Sequence, residues 1–231
     1  MENGKRKTEN SKLVSSFSTF HFPFSIEKIY PITDTRITNL SHAEQVVKLI
    51  EGGAKLIQLR EKLASVKDFY EDARKALEIA RAERVKIIIN DRVDIALALK
   101  ADGVHLGQDD LPPDEARRIL GDEAIIGFST HNLKQAAEAV KLPVNYLAIG
   151  PVFPTNTKEN PDATVALEGV KIVREAIGDF PLVAIGGITF ENFREVLRAG
   201  ADSVAVIGNL LSEPDKIGEK MKKFIELSQS V

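Results

Sequence analysis

The stretch Ile29-Tyr30-Pro31-Ile32-Thr33-Asp34-Thr35-Arg36-Ile37 decides the fold. It opens as a short β-branched strand and then turns through residues that include no glycine. An open, doubly wound sheet that binds a dinucleotide carries G-x-G-x-x-G directly after its first strand. Downstream, short apolar runs recur at Leu56–Leu59, Val85–Ile89, Gly103–Leu106, Ile125–Phe128, Tyr146–Ile149, Leu182–Ile185 and Ser203–Ile207. With Ile29–Thr33 these make eight strands, each nearly continuous in apolar residues, as parallel strands covered on both faces require. Helical segments of 3.6-residue periodicity lie between them. In Phe69–Ala82 the residues Phe69, Ala73, Ala76, Leu77 and Ala80 form one stripe, with Glu71, Arg74, Lys75, Glu78 and Arg81 largely off it. Ser41, Pro112/Pro113 and Thr189 mark helix starts, and Gly121 and Gly178 mark stops. Gly53-Ala54, Ala101-Asp102-Gly103 and Gly200-Ala201-Asp202 read as equivalent turns that close a helix and enter the next strand. The expected fold is α/β: a (β/α)8 TIM barrel, with its chemistry on the loops at the carboxyl ends of the strands.

The chain of 231 residues matches that architecture, which commonly needs about 200–250 residues. A net charge of −3 provides no global field to recruit nucleic acid or an anionic membrane, so any anion site must be local. No apolar run reaches the roughly 18 residues of a membrane span. The chain has no cysteine, which removes disulfides, thiolate nucleophiles and cysteine zinc sites and fits a reducing, cytoplasmic setting.

Residues 1–27 differ in kind and are assigned to an N-terminal extension, leaving 28–231 as the barrel domain. Lys5, Arg6, Lys7 and Lys12 lie among serine and asparagine, followed by Phe17, Phe20, Phe22 and Phe24. There is no apolar core or cleavage site of a secretory signal, and Glu2 and Glu9 interrupt the basic character expected of a transit peptide. This reads as a mobile tail to about Ser16, then an aromatic segment packing on the barrel or on a second subunit, so that a homo-oligomer is compatible with the sequence.

The polar residues fall where a barrel puts its chemistry. The second strand ends in Gln58-Leu59-Arg60-Glu61-Lys62, and strand alternation sends Gln58, Arg60 and Lys62 to one side, toward the mouth. The third ends in Asn90-Asp91, the fourth in His105-Leu106-Gly107-Gln108-Asp109-Asp110, and the fifth in Ser129-Thr130-His131. The sixth runs into Gly150-Pro151-Val152-Phe153-Pro154-Thr155-Asn156-Thr157-Lys158, the seventh into Gly186-Gly187 and the eighth into Ile207-Gly208-Asn209. One at a time these have ordinary explanations. Asp91, Asp110 or Ser129 could cap a helix, and His105 and His131 suit packing or hydrogen bonding better than metal ligation. Jointly they bring Arg60, Lys62 and Lys158 to one mouth beside Asp91 and Asp110. Two carboxylates are a typical protein share of a Mg²⁺ site that also holds substrate phosphate. Cations and Mg²⁺ together neutralise a diphosphate and stabilise its departure. A second anion site is expected where glycines precede helix starts, at Gly186-Gly187 and Gly208.

These residues resemble the thiamine-phosphate synthase family from Tyr30 to about Leu211. The Pro154-Thr155-x-Thr157-Lys158 segment combined with the Asp91/Asp110 pair is the most specific part of the likeness. The resemblance implies that Gln58, Leu59, Arg60, Glu61, Lys62, Asn90, Ser129 and Lys158 bind an aminopyrimidine diphosphate, with Arg60, Lys62, Ser129 and Lys158 catalytic. It implies Mg²⁺ on Asp91 and Asp110, and a thiazole phosphate on Thr155, Asn156, Thr157, Gly187, Ile207 and Gly208. The implied reaction is a dissociative substitution: pyrophosphate leaves, the pyrimidine stabilises a methylene cation, and the thiazole nitrogen captures it. Two departures stand out. Gly208 occupies a position where the family often has serine, and Glu159–Glu168, carrying Pro161, reads as a somewhat long mobile loop over the mouth. The competing readings are a thiazole tautomerase on the same barrel, which needs neither Mg²⁺ nor a diphosphate clamp, and a non-catalytic barrel that binds a thiamine precursor.

Overall fold

Eight parallel strands hydrogen-bond in sequence order, and the last returns to the first, so the sheet closes on itself in the computed structural model. The structure describes residues 25–155, 157 and 162–231. The basic tail and the aromatic segment therefore lie outside the described residues, as do Asn156 and Lys158. The strands are β1 (Ile29–Thr33), β2 (Leu56–Leu59), β3 (Lys86–Asn90), β4 (Gly103–Leu106), β5 (Ile125–Thr130), β6 (Tyr146–Ile149), β7 (Leu182–Ile185) and β8 (Ser203–Val206). Closure pairs Ile29 with Val204 and Tyr30 with Ala205. The helices are α1 (Thr35–Thr38), α2 (His42–Glu51), α3 (Val66–Ala82), α4 (Val93–Leu99), α5 (Pro113–Leu120), α6 (Leu133–Ala139), α7 (Ala166–Ile177), α8 (Phe193–Arg198), α9 (Gly208–Leu211) and α10 (Ile217–Ser228). Among the described residues no helix is long and apolar enough to cross a membrane.

Several boundaries differ from the sequence reading. Strand β3 is displaced one residue toward Asn90, and β5 runs on through Ser129 and Thr130, because pairing with β6 continues to Thr130↔Ile149. Helix α3 begins a turn earlier than the apolar stripe, at Val66, since the Ser65 side chain accepts from the Asp68 amide. Ser41 caps α2 in a reciprocal capping box with Glu44. Thr189 does not start α8. It opens a turn in which Asn192 Oδ1 accepts from the Thr189 amide, and the helix begins at Phe193. The sixth βα loop ends at Val165, with α7 starting at Ala166 rather than after Glu168. The short helices α1 and α9 are additional to the expected eight, and both follow strand ends at the mouth.

The period-two alternation of the strands divides the core in two. Outward residues such as Ile57, Leu59, Ile87, Ile89, Val104, Leu106, Leu147 and Ile149 are buried under the helices. Inward residues, including Tyr30, Ile32, Leu56, Ile88, Ile125, Tyr146, Ala148, Val183 and Ala205, fill the barrel itself. Tyr146 consumes much of that interior. A Cβ at Gly127 would lie 2.0 Å from the Tyr146 ring and 2.5 Å from His105 Nδ1, and one at Gly103 would lie 1.9 Å from the Ile125 carbonyl. Glycine at these two inward positions is thus a packing requirement.

The end opposite the mouth repeats one device three times. Asp102, Asn145 and Asp202 each sit immediately before an even-numbered strand. Each donates its amide to the preceding strand, to the carbonyls of Ile87, Ile126 and Leu182, and accepts the amide of the same residue with its side chain. Two of the three lie in turns anticipated from the sequence. Arginines on the odd-numbered helices close the corners. Arg117 of α5 donates to the carbonyls of Gly121, Asp122, Ala124 and Pro143 and to Asn145 Oδ1. Arg174 of α7 does the same for Gly178, Phe180, Gly200 and Asp202. Arg117→Ala leaves several inward-turned carbonyls without a donor, and we expect a loss of about 2–4 kcal/mol in urea unfolding, without change in the chemistry at the mouth; a loss below about 0.5 kcal/mol would mean that water replaces the guanidinium freely.

Candidate active site

At the mouth, strand alternation continues past the last ladder bond and sets which side chains face the axis. On β2 the inward residues are Leu56 and Gln58, followed by Arg60. Gln58 is buried, and its Nε2 donates to the Tyr30 hydroxyl at 3.1 Å. Arg60 donates to Asp34 Oδ2 at 2.5 Å, and Arg36 engages both oxygens of the same carboxylate, at 3.1 and 2.8 Å. Asp34 is almost fully buried at the end of β1 and also caps α1. Two guanidinium groups are therefore fixed on one carboxylate. Arg36 also donates to the Thr157 carbonyl at 3.2 Å, which joins the first loop to the sixth. Asp34 and Arg36 were missed as site residues. The available signal was that they follow β1 directly, in the same relation that Arg60 has to β2.

Asp91 and Asp110 come together. Asp91, one residue beyond β3, has left-handed backbone (φ 61°), and its amide donates to the His105 carbonyl at 2.8 Å. Asp110 folds back so that its Oδ2 accepts from the Gly107 amide at 2.6 Å. Burial and the facing Asp91 carboxylate push the Asp110 acid above the usual carboxylate range, while Lys62 opposes the rise. The Lys62 ammonium contacts Asp91 Oδ2. Among the described residues no third histidine, cysteine or carboxylate joins this pair as a ready-made cluster. Its donor set suits a hard cation that takes its remaining oxygens from substrate and water. Two carboxylates held face to face are relieved by such a charge, and that is the observation by which the pair fits Mg²⁺.

Ser129 faces the mouth from β5. Its hydroxyl lies 2.9 Å from His105 Nε2, and its carbonyl accepts from Gln108 Nε2 at 2.6 Å. His105 Nδ1 lies 2.9 Å from the Tyr146 hydroxyl, and burial lowers the His105 pKa to about 4. Its role is hydrogen bonding, as the sequence suggested. His131 Nδ1 likewise reaches the Gly150 carbonyl at 2.7 Å. Asn90 is buried and inward at the end of β3.

Two residues assigned to the diphosphate are committed elsewhere through their side chains. Leu59 points outward into the helix-covered core and is fully buried. Glu61 organises its own loop: one oxygen accepts the amides of Lys62, Leu63 and Ala64, and the other accepts from Thr35 and lies 3.4 Å from His42 Nε2. Gly187 has φ 63°, and a Cβ there would fall 2.6 Å from the Pro154 carbonyl, so the seventh loop lies directly on the sixth. Thr155 Oγ1 and Thr157 Oγ1 are 3.4 Å apart, and a Cβ on Gly208 would sit 3.8 Å from Thr157 Oγ1. Thr155, Thr157, Gly187 and Gly208 thus gather on one side of the mouth, with Ile207 packed against the inner core beside them.

The contacts to Glu61, with His42 first, hold its carboxyl well below the usual range. A depressed carboxylate stabilises the fold above its unfolded pKa of about 4.3 and loses that contribution as pH falls toward the folded value. Glu61→Gln should therefore cost about 1–2 kcal/mol at pH 7 and flatten the acid limb of the stability curve; an unchanged slope of stability against pH below about pH 5 would refute the assignment.

Comparison with known proteins follows the same residues. A family model described as thiamine monophosphate synthase matches residues 29–210. The thiamine-phosphate synthase of Clostridium novyi (strain NT) is 48% identical over 189 residues, covering 81% of this chain and 92% of that protein. That of Koribacter versatilis (strain Ellin345) is 42% identical over 212 residues, covering 89% and 97%. The solved structure of thiamine phosphate pyrophosphorylase from Pyrococcus furiosus superposes with a TM-score of 0.79 at 37% identity, covering 88% of this chain and 96% of that one.

Proposed function

The chain belongs to the thiamine monophosphate synthase family, and from that premise we propose how its barrel mouth performs the coupling. It is a transferase of thiamine biosynthesis, a thiamine-phosphate synthase that acts on small molecules. It joins 4-amino-2-methyl-5-(diphosphooxymethyl)pyrimidine through its methylene carbon to the ring nitrogen of an ethylthiazole phosphate, giving thiamine phosphate and pyrophosphate; with a carboxylated thiazole phosphate, carbon dioxide is released as well. The observation that carries the assignment of roles is the convergence of Arg60, Lys62, Asp91, Asp110 and Ser129 on one mouth that also holds the cluster of Thr155, Thr157, Gly187 and Gly208.

In this reading Arg60, Lys62 and Ser129 bind the diphosphate, joined by Lys158, whose placement lies outside the described residues. Asp91 and Asp110 hold Mg²⁺, which when bound supplies positive charge to the departing diphosphate. Arg60 arrives already oriented by Asp34, so little side-chain freedom is lost on binding. Gln58 and Asn90, inward and buried, meet the aminopyrimidine. The C–O bond to the diphosphate breaks, the ring stabilises the methylene cation, and the thiazole nitrogen supplies the electron pair of the new C–N bond. No protein nucleophile takes part. Catalysis is the holding of two reactants in line together with stabilisation of the leaving charge, and orientation alone can supply up to about 7–11 kcal/mol. The thiazole phosphate rests on the Thr155, Asn156 and Thr157 segment and on the backbone at Gly187, Ile207 and Gly208.

The test is pyrophosphate release followed with both substrates and Mg²⁺. Asp91→Asn and Asp110→Asn should each reduce kcat/KM by about 100-fold or more, partly recovered at high Mg²⁺. Chelation should abolish turnover of the unaltered enzyme. Full activity in chelator, or wild-type rates in both variants, would remove the metal from the scheme; isomerisation of the thiazole without coupling would replace the scheme with a tautomerase.

A further inference from the structure

The barrel interior contains a continuous hydrogen-bonded chain whose middle members, Tyr30, Tyr146 and His105, have no part in the coupling scheme. Gln58 Nε2 donates to Tyr30 Oη at 3.1 Å, Tyr30 and Tyr146 hydroxyls are 3.0 Å apart, Tyr146 lies 2.9 Å from His105 Nδ1, and His105 Nε2 lies 2.9 Å from Ser129 Oγ. Five strands contribute one residue each, and Tyr30, Tyr146 and His105 are buried. It runs from the buried Gln58 on β2 to Ser129 at the mouth end of β5.

Proton accounting gives this chain a direction. A buried hydroxyl has one proton, and a donor left unused in a dry interior is costly. Gln58 Nε2 can only donate, so the Tyr30 oxygen accepts there and its proton must go to Tyr146. Tyr146 in turn donates to His105 Nδ1. With Nδ1 an acceptor, the ring proton of a neutral imidazole sits on Nε2 and points at Ser129 Oγ. That oxygen is then occupied as an acceptor, and the Ser129 proton is left to leave the chain toward the mouth. Turning the Gln58 amide over would reverse every bond and leave Ser129 donating backward into the barrel. Diphosphate oxygens only accept, so only the first direction makes Ser129 useful to them.

We propose that Tyr30, Tyr146 and His105 are positioning residues that lock Ser129 as a hydrogen-bond donor toward the leaving diphosphate, with the polarity set from across the barrel by Gln58. The proposal rests on the diphosphate-side reading above. Tyr30, Tyr146 and His105, which do not touch substrate, carry that polarity from Gln58 to Ser129, which does.

Two measurements test it, and they separate the relay from the enzyme reading. In the free protein, long-range ¹H–¹⁵N spectra of the imidazoles, with His105 assigned by its loss in His105→Asn, should show the neutral Nε2-protonated tautomer. Tyr146→Phe should shift that signal toward a tautomer mixture while the other histidines keep theirs. This readout needs no turnover, so it stands or falls apart from the coupling assignment. In the assay, Tyr146→Phe should lower kcat about tenfold and Ser129→Ala about 100-fold, with KM changed by less than about threefold. The double variant should be no slower than Ser129→Ala alone. Thermal unfolding of each variant shows whether a loss comes from the fold instead. An Nδ1-protonated His105, a ring signal indifferent to Tyr146→Phe, or rate losses that multiply in the double variant would each overturn the relay.

Discussion

An eight-stranded barrel has a narrow interior, and Tyr146 takes a large share of it. Its ring stands where side chains on Gly127 would collide, stacks near His105 with centroids 5.5 Å apart, and meets Tyr30 edge-on at 6.0 Å. A phenol placed so deep must find a partner for its hydroxyl, because an unpaired one costs more than the ring's burial can spare. Burial drives the ionisation of both tyrosines upward, so both remain neutral donors. The rest of the mouth follows from this filling. The inward positions below are closed by aliphatic groups, and those above become the floor of a polar site.

Charge is arranged there against the character of the whole protein. The chain is acidic overall, yet its mouth collects Arg36, Arg60 and Lys62. Each cation is tied to a carboxylate, and the two carboxylates involved behave differently. Asp34 is buried and satisfied by its two guanidinium groups, so it is a permanent part of the scaffold. Asp91 is more exposed, faces Asp110, and is contacted by the Lys62 ammonium. The first arrangement orients a cation; the second leaves a carboxylate pair whose repulsion an incoming charge can relieve.

The strands and most of the mouth were legible because they depend on local pattern. Apolar runs of fixed length, punctuated by glycine and proline, located all eight strands to within one or two residues at their ends. The misjudged end of β5 has a local cause. Ser129 and Thr130 are polar but remain in the β5 ladder, since Thr130 Oγ1 reaches the Ala148 carbonyl at 2.9 Å and needs no water. Strand alternation correctly turned Gln58 and Arg60 inward, and the same rule, applied to Leu59, would have turned its side chain out. Glu61 was unreadable for another reason: its partners Thr35 and His42 come from a different βα unit. The interior chain was less legible still. Tyr30 and Tyr146 are 116 residues apart, and no periodicity links a strand's single tyrosine to one across the barrel.

The two ends of the barrel divide their labour in a way that sequence composition alone conceals. At the closed end, Arg117 and Arg174 spend their donors on backbone carbonyls, and Asp102, Asn145 and Asp202 spend theirs on strand amides. Each of those groups is satisfied within the protein, which pins the strand ends it holds. At the mouth the same residue types are left with capacity: a serine with a proton to give, two carboxylates in mutual repulsion, and guanidinium groups held out by a buried aspartate. The strands carry the rigidity of one end to the other, because an inward side chain displaced at the mouth must move a ladder whose far end is pinned. Positioning at the site is thus secured by contacts at the opposite end of the strands, and the mouth can turn polar groups toward substrate without losing their geometry.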